Sequence, residues 1–300
     1  KFMLNVVPNL QTGIDRVLGF YFNYCRERYS ILLKRRAGFP QEKWTEDPIL
    51  KAFRFTNVFR EDDAMTIWFR EHIREPLRDD ARVLMAIIAC RWFNKIETGE
   101  ALRPLLLGNI WDQEIWRSEL NKVKQRDGTI CTGAYMIKTP AAMSKIDGIL
   151  QCLWKAKQRE EELLYGLTRS NLTQQQCWER LCTLDYIGGF TANEIIVDLT
   201  HTFFLENASD IMSWTNPGPG GAAGIGLLLY GDRKKFNRTK DSDRAEMINI
   251  MSVFLKASQE ERYWPQDWPR FTLHTIQFNF CEIFKYMQGQ AGFRLKRRYR

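Results

Sequence analysis

Histidine is scarce and cysteine is scattered: three histidines and seven cysteines occur in 300 residues, with no C-x-x-C pair and no H-E-x-x-H spacing. That argues against zinc sites, iron–sulfur clusters and histidine-based metal enzymes. An odd number of widely separated cysteines also argues against a disulfide framework, which leaves reduced core thiols. Neither a G-x-x-x-x-G-K-[ST] loop nor a G-x-G-x-x-G fingerprint is present, so a nucleotide has no visible cradle here. No metal and no cofactor is expected. The longest apolar stretches, Val83–Cys90 and Leu227–Tyr230, fall well short of the ~18–20 residues of a membrane span. The opening Lys-Phe-Met-Leu has no secretory pattern, so a cytoplasmic protein without a membrane partner is expected.

What is present is an ordinary globular composition, 44% hydrophobic and 27% charged, with 44 basic against 36 acidic side chains and a net charge of +8. Lys34, Arg35 and Arg36 cluster early, Arg233, Lys234, Lys235 and Arg238 cluster later, and Arg294, Lys296, Arg297, Arg298 and Arg300 crowd the end. Such clusters suit a polyanion, nucleic acid above all, although solvated helix ends and a frayed tail produce the same pattern.

Apolar periodicity predicts helices over 14–33, 62–73, 79–93, 111–123, 140–164, 174–184, 191–204, 241–257 and 273–286. Only Thr129–Ile137 looks extended, and the stretch Trp214–Gly226, with five glycines and two prolines, reads as a loop whose amides could meet a phosphate. The fold is therefore expected to be mainly α.

Between two of these helices lies Leu184-Asp185-Tyr186-Ile187-Gly188-Gly189-Phe190-Thr191-Ala192, which resembles the helix–hairpin–helix element written L-P-G-V-G-x-x-T-A. Asp185 and Tyr186 replace its proline and first glycine, and an ordinary packing corner fits the same residues. In such an element Gly188, Gly189 and Thr191 would face a DNA phosphate at the start of the second helix. The resemblance extends to glycosylases built on this element, which carry an aspartate soon after it. Asp210, 18 residues beyond Ala192, is the first catalytic candidate and Asp198 the second, since a carboxylate stabilises an oxocarbenium-like sugar. Phe190 stands where bifunctional members place a lysine, which implies the monofunctional branch.

A second resemblance covers 20–300. Phe55–Thr66, Cys90–Asn94, Asp198–Thr202, Asp210-Ile211 with Trp214, Gly218-Pro219-Gly220, and Cys281-Glu282 with Lys285-Tyr286 are similar to the alpha-glutamyl/putrescinyl thymine pyrophosphorylase family. The family is also described as amino acid:DNA transferases and as the helical domain of hydroxymethyluridine DNA kinases, and it is thought to be related to helix–hairpin–helix glycosylases. It implies a 5-substituted pyrimidine in double-stranded DNA as substrate. Asn57, Arg60 and Glu61, on one face if helical, would hold the base together with Asp63 and Trp214, with Gly218 and Gly220 on the backbone. An ion-pair cluster between helices is the plainer reading of the same group. Ala222-Ala223 and Phe284 depart from the family, which usually has an arginine after the glycine loop and an aspartate at the later position.

Together these readings predict a glycosylase-like helical array, residues 1–300, with lobes 1–127 and 140–300 around a cleft. The expected activity is flipping of a hypermodified pyrimidine and hydrolysis of its N-glycosidic bond, in the setting of phage defence. The alternatives are transfer of an amino acid or polyamine to a pyrophosphorylated hydroxymethylpyrimidine, and a non-catalytic DNA-binding module.

Overall fold

The computed structural model describes residues 10–133, 138–167 and 171–299. Among them regular structure is helical, and a single antiparallel bridge joins Phe53 to Arg298. In chain order the helices are α1 (Leu10–Arg36), α2 (Pro48–Ala52), α3 (Ala64–Phe69), α4 (Val83–Phe93), α5 (Ile96–Leu107), α6 (Gln113–Asp127) and α7 (Lys145–Gln158). There follow α8 (Glu160–Leu167), α9 (Gln174–Leu181), α10 (Gly189–Leu199), α11 (Pro219–Tyr230), α12 (Asp241–Ala257) and α13 (Leu273–Gln290). The chain is mainly α, as its periodicity predicts. It divides into two compact units, Lys1–Asp63 with Met212–Arg300, and Ala64–Ile211, so the break expected between 127 and 140 falls inside the second unit.

In the first unit, α1 buries Leu18, Tyr21, Phe22, Cys25, Tyr29 and Leu32 at helical spacing in one core with Met247, Met251 and Phe254 of α12 and Ile276, Phe280 and Ile283 of α13. The rings of Tyr21, Phe254 and Phe280 meet at 4.8–4.9 Å, and the Tyr21 hydroxyl donates to the Ile276 carbonyl at 2.9 Å, so this buried phenol keeps a polar partner.

The glycine-rich stretch is not all loop: from Pro219 onward it is α11. Glycine inside a helix costs about 1 kcal/mol relative to alanine, and here the missing side chains allow two backbones to meet. A Cβ on Gly220 would lie 2.1 Å from Cys281 Sγ, and one on Gly224 would lie 2.0 Å from the Phe280 carbonyl oxygen. Pro219 suits the first turn, and Gly231, at φ +71°, ends the helix in the left-handed conformation.

In the second unit every residue of α4 is buried, Arg91 included, which makes it the central rod. Trp68 of α3 lies against α5, where a Cβ on Gly99 would fall 2.3 Å from its ring. The helix expected over 62–73 starts at Ala64, widens into a π-turn at Arg70–Arg74 and tightens into a 3₁₀ turn at Glu75–Leu77, where Pro76 has no N–H to continue the ladder. The helix expected over 140–164 starts later, because Ser144 accepts the Asp147 amide as its N-cap, and it is divided at Arg159 between α7 and α8. Of the extended stretch expected at 129–137, residues 134–137 lie outside the described residues and 129–133 form no strand.

Gly224→Ala should force α11 away from α13. Thermal or urea unfolding is expected to show a loss of about 1–3 kcal/mol, the usual cost of overpacking; an unchanged midpoint would mean that the two helices separate freely.

Candidate functional site

The apolar face of α1 carries a charge: Arg28 follows Tyr21, Tyr24 and Cys25 at helical spacing and is only 5% exposed. Its Nη1 donates to Asn279 Oδ1 at 2.6 Å, and its Nη2 donates to the carbonyls of Thr56 and of Asn57, the latter at 3.0 Å. The Tyr24 ring lies 4.9 Å from the guanidinium carbon. Asn279 Nδ2 donates to the Val58 carbonyl at 3.0 Å, and Glu282, one turn further along α13, accepts the Thr56 amide at 3.2 Å. The irregular segment 55–58 thus has its backbone polar groups satisfied by side chains of α1 and α13 instead of by a helix or sheet.

Glu282 also accepts from Lys285 Nζ at 2.5 Å. Burial alone would raise its pKa, but the charges of Lys285 and Arg28, with the bonds from Lys285 and Thr56, outweigh it and hold the carboxyl below its ordinary value.

Asn57 closes the other side of the cluster. Its backbone amide and its Nδ2 both donate to Asp63 Oδ1, at 3.1 and 3.0 Å, and Nδ2 reaches the Asp62 carbonyl at 2.8 Å. Burial pushes the Asp63 carboxyl up to about 6; the Asn57 amide, Arg60 and Arg28 pull it down, and the negative charge of Glu282 adds to the rise. The expected helical face of Asn57, Arg60 and Glu61 does not form: 55–59 are irregular and Arg60–Asp62 is one 3₁₀ turn, because Asn57 bonds forward to Asp62 and Asp63. Tyr24 Oη, Arg28 Nε and Thr56 Oγ1 are buried here without a hydrogen-bond partner among the described residues. Arg28 and Thr56 also line a cavity of about 20 Å³, room for one water-sized group.

Arg28 and Asn279 were not among the residues expected from sequence. The available signal was a cation three residues after Cys25 and four after Tyr24, on a stripe otherwise apolar. Trp214 is half-buried and Gly218, the N-cap of α11, is buried; Gly220 packs against Cys281, which accounts for that glycine without a phosphate.

The second unit holds the corner between α9 and α10. Tyr186, where the hairpin pattern has its first glycine, adopts φ +61°, a left-handed conformation that strains a bulky residue. Gly188 is the exposed N-cap of α10, Gly189 and Thr191 lie in its half-buried first turn, and Asp185 pairs with Lys155 at 2.6 Å. The two aspartates proposed for catalysis are engaged in structural contacts. Asp198 is fully buried, both its oxygens meeting Arg91 at 2.5 and 2.7 Å, with Arg74 Nη1 at 3.7 Å. Asp210 receives the backbone amides of Gln174 and Gln175 at 2.7 and 3.1 Å, so its carboxylate caps the start of α9. An oxocarbenium-stabilising carboxylate needs an open oxygen beside the sugar, which the buried, doubly paired Asp198 does not provide, whereas Asp210 is half-buried and accepts one amide on each oxygen.

Residues 15–292 match the family described as "5-hmdU DNA kinase, helical domain". A 5-hmdU DNA kinase of Bacillus phage SP10 is 22% identical over 302 residues, covering 90% of this chain and 45% of its own length. The chain thus spans less than half the length of that relative. No solved structure matches. These findings overturn the expected monofunctional glycosylase: the relative is named a kinase, a transferase, and not a hydrolase of N-glycosidic bonds. Among the described residues no helix is long and apolar enough to cross a membrane.

Asp198→Ala would strip a buried arginine of its bidentate partner and is expected to cost about 3–5 kcal/mol in chemical unfolding, far more than an exposed carboxylate would. Asp63 binds its proton more tightly in the fold than in the unfolded chain. Its contribution therefore favours the fold below the ordinary value of 3.8 and is lost as pH rises through about 6. Asp63→Asn keeps an acceptor for Asn57 and carries no charge, so its Tm should exceed the parent's at pH 7–8 and match it near pH 4; parallel curves across that range would contradict the assignment.

Proposed function

The chain belongs to the 5-hmdU DNA kinase helical-domain family, and on that premise we propose that it works in a transferase of modified phage DNA, presenting the 5-hydroxymethyl group of a pyrimidine for group transfer. The observation that carries the reading is the Asn57–Asp63 pair, inside the matched span, with a carboxyl whose pKa near 6 suits a general base. A hydroxymethyl oxygen is a weak nucleophile. As its bond to phosphorus forms and the bond to a nucleoside diphosphate leaving group breaks, its proton passes to the free oxygen of Asp63, while Asn57 fixes the carboxylate through the other. Arg60 and Glu61 flank the pair and would contact the base edge.

A second reading is favoured by the motifs Phe55–Thr66 and Cys281–Tyr286, which resemble amino acid:DNA transferases. An amine displaces pyrophosphate from a pyrophosphorylated hydroxymethylpyrimidine: a C–N bond forms, a C–O bond breaks, and the amine proton goes to the same carboxylate.

Mass spectrometry of nucleosides, after incubating duplex DNA containing 5-hydroxymethyluridine with the protein and a nucleoside triphosphate, is expected to show a heavier nucleoside with its glycosidic bond intact. A product formed only from pyrophosphorylated DNA and an amine selects the second reading. In either case Asp63→Asn should slow transfer about 10²–10⁴-fold, the usual contribution of a positioned base, and remove a pH limb near 6. Full activity of that variant would defeat the proposal.

A further inference from the structure

The connection between α11 and α12 (231–240) gathers Arg233, Lys234, Lys235 and Arg238. Lys235 Nζ lies 4.9 Å from the centre of the Tyr230 ring. Arg233, Lys234 and Arg238 are exposed and make no ion pair among the described residues. The neighbouring acids have other work. Asp232 accepts the Lys234 amide at 2.8 Å, Asp243 accepts the Asn237 amide at 2.8 Å and pairs with Lys240 at 3.7 Å, and Asp241 pairs with Arg244. These carboxylates brace the loop backbone and its flanks while three cationic heads are left without a counter-charge. The loop also sits close on α11, where a Cβ on Gly226 would fall 2.4 Å from the Asp232 carbonyl oxygen.

The same three cations line one open cavity of about 360 Å³, with Phe236 and the first two turns of α11, at Pro219, Ala222 and Ala223, among its other walls and no carboxylate in its lining. Holding like charges together is unfavourable until an anion arrives, and the positive end of the α11 dipole adds to the same field. A site for a free small anion would enclose it with buried, hydrogen-bonded cations. Long exposed side chains around an open cleft suit a polyanion that continues past it on both sides.

We infer that this cleft seats the sugar–phosphate backbone of DNA, with Arg233, Lys234 and Arg238 each neutralising a phosphate. The inference takes DNA as the polyanion from the proposed function, but it needs no modified base and no transfer chemistry.

Fluorescence anisotropy on an unmodified duplex between 50 and 200 mM salt tests it, comparing the parent with Arg233→Gln/Lys234→Gln/Arg238→Gln and with a charge-matched control, Lys43→Gln/Lys124→Gln/Lys256→Gln. Each phosphate neutralised contributes about 0.9 to the slope of log K against log salt, so three contribute about 2.7, roughly 40-fold over that fourfold range. The cleft variant should lose about that slope and at least about tenfold in affinity at 50 mM, while the control stays within about threefold. Equal losses in the two triples overturn the inference, as does a parent protein that does not bind DNA. Saturable binding of inorganic pyrophosphate that disappears in the cleft variant while DNA binding persists also overturns it, in favour of a small-anion site. If the cleft variant loses DNA binding but 5-hydroxymethyluridine is never modified, the transfer reading fails and the cleft assignment stands.

Discussion

A guanidinium out of water is tolerable only when its donors find acceptors, and the burial of Arg28 sets the terms for the chain around it. Its acceptors are the Asn279 side chain and two carbonyls of 55–58, a segment with no ladder of its own, so forming the salt-free part of the cluster also fixes the path of that segment. The electrostatic consequence spreads outward. Arg28 remains charged, which with Lys285 keeps Glu282 ionised despite burial, and an ionised Glu282 then disfavours a second negative charge at Asp63. The proton affinity of Asp63 thus originates in part from a cation on another helix, which acts on it directly with one sign and through Glu282 with the other.

The placement of α13 follows from the same economy of space. One face presents Asn279 and Glu282 to the 55–58 segment, and another presents Gln277, Phe280 and Cys281 to the glycines of α11. If α11 carried side chains at 220 and 224, α13 would have to retreat by more than an ångström, and the hydrogen bonds of 2.6–3.2 Å that hold the segment would lengthen beyond use. Glycines that look like a loop signal therefore set the geometry of a polar cluster that includes none of them.

This explains which features could be read from sequence. Helices with one apolar stripe, α1, α6, α12 and α13, follow from periodicity alone because burial on one side is all they require. The prediction failed for α11, where glycine serves helix–helix contact instead of a turn, and no helix is expected over α5, where Gly99 makes room for the Trp68 ring. Among the site residues, Asn57 and Asp63 belong to a visible polar motif, but their pairing across a turn, and not along a helix, depends on hydrogen bonds that no spacing encodes. Arg28 was hidden because a cation on a long helix is assigned by default to the solvated face.

Spacing after a hairpin-like corner singles out Asp198 and Asp210, but spacing carries no information about the partners the fold gives them. A carboxylate becomes chemically available only after nearby donors have been satisfied, and sequence distance says nothing about those donors. In the second unit they are close at hand: Arg91 takes both oxygens of Asp198, the amides at the start of α9 take those of Asp210, and Lys155 takes Asp185. In the first unit the balance differs. One oxygen of Asp63 is held while burial raises the pKa of the group to about 6, and three cations beside α11 make no ion pair among the described residues. On the proposed reading, substrate contact in the first unit falls at Asp63, at the end of the 55–63 segment, and at the three cations just after α11.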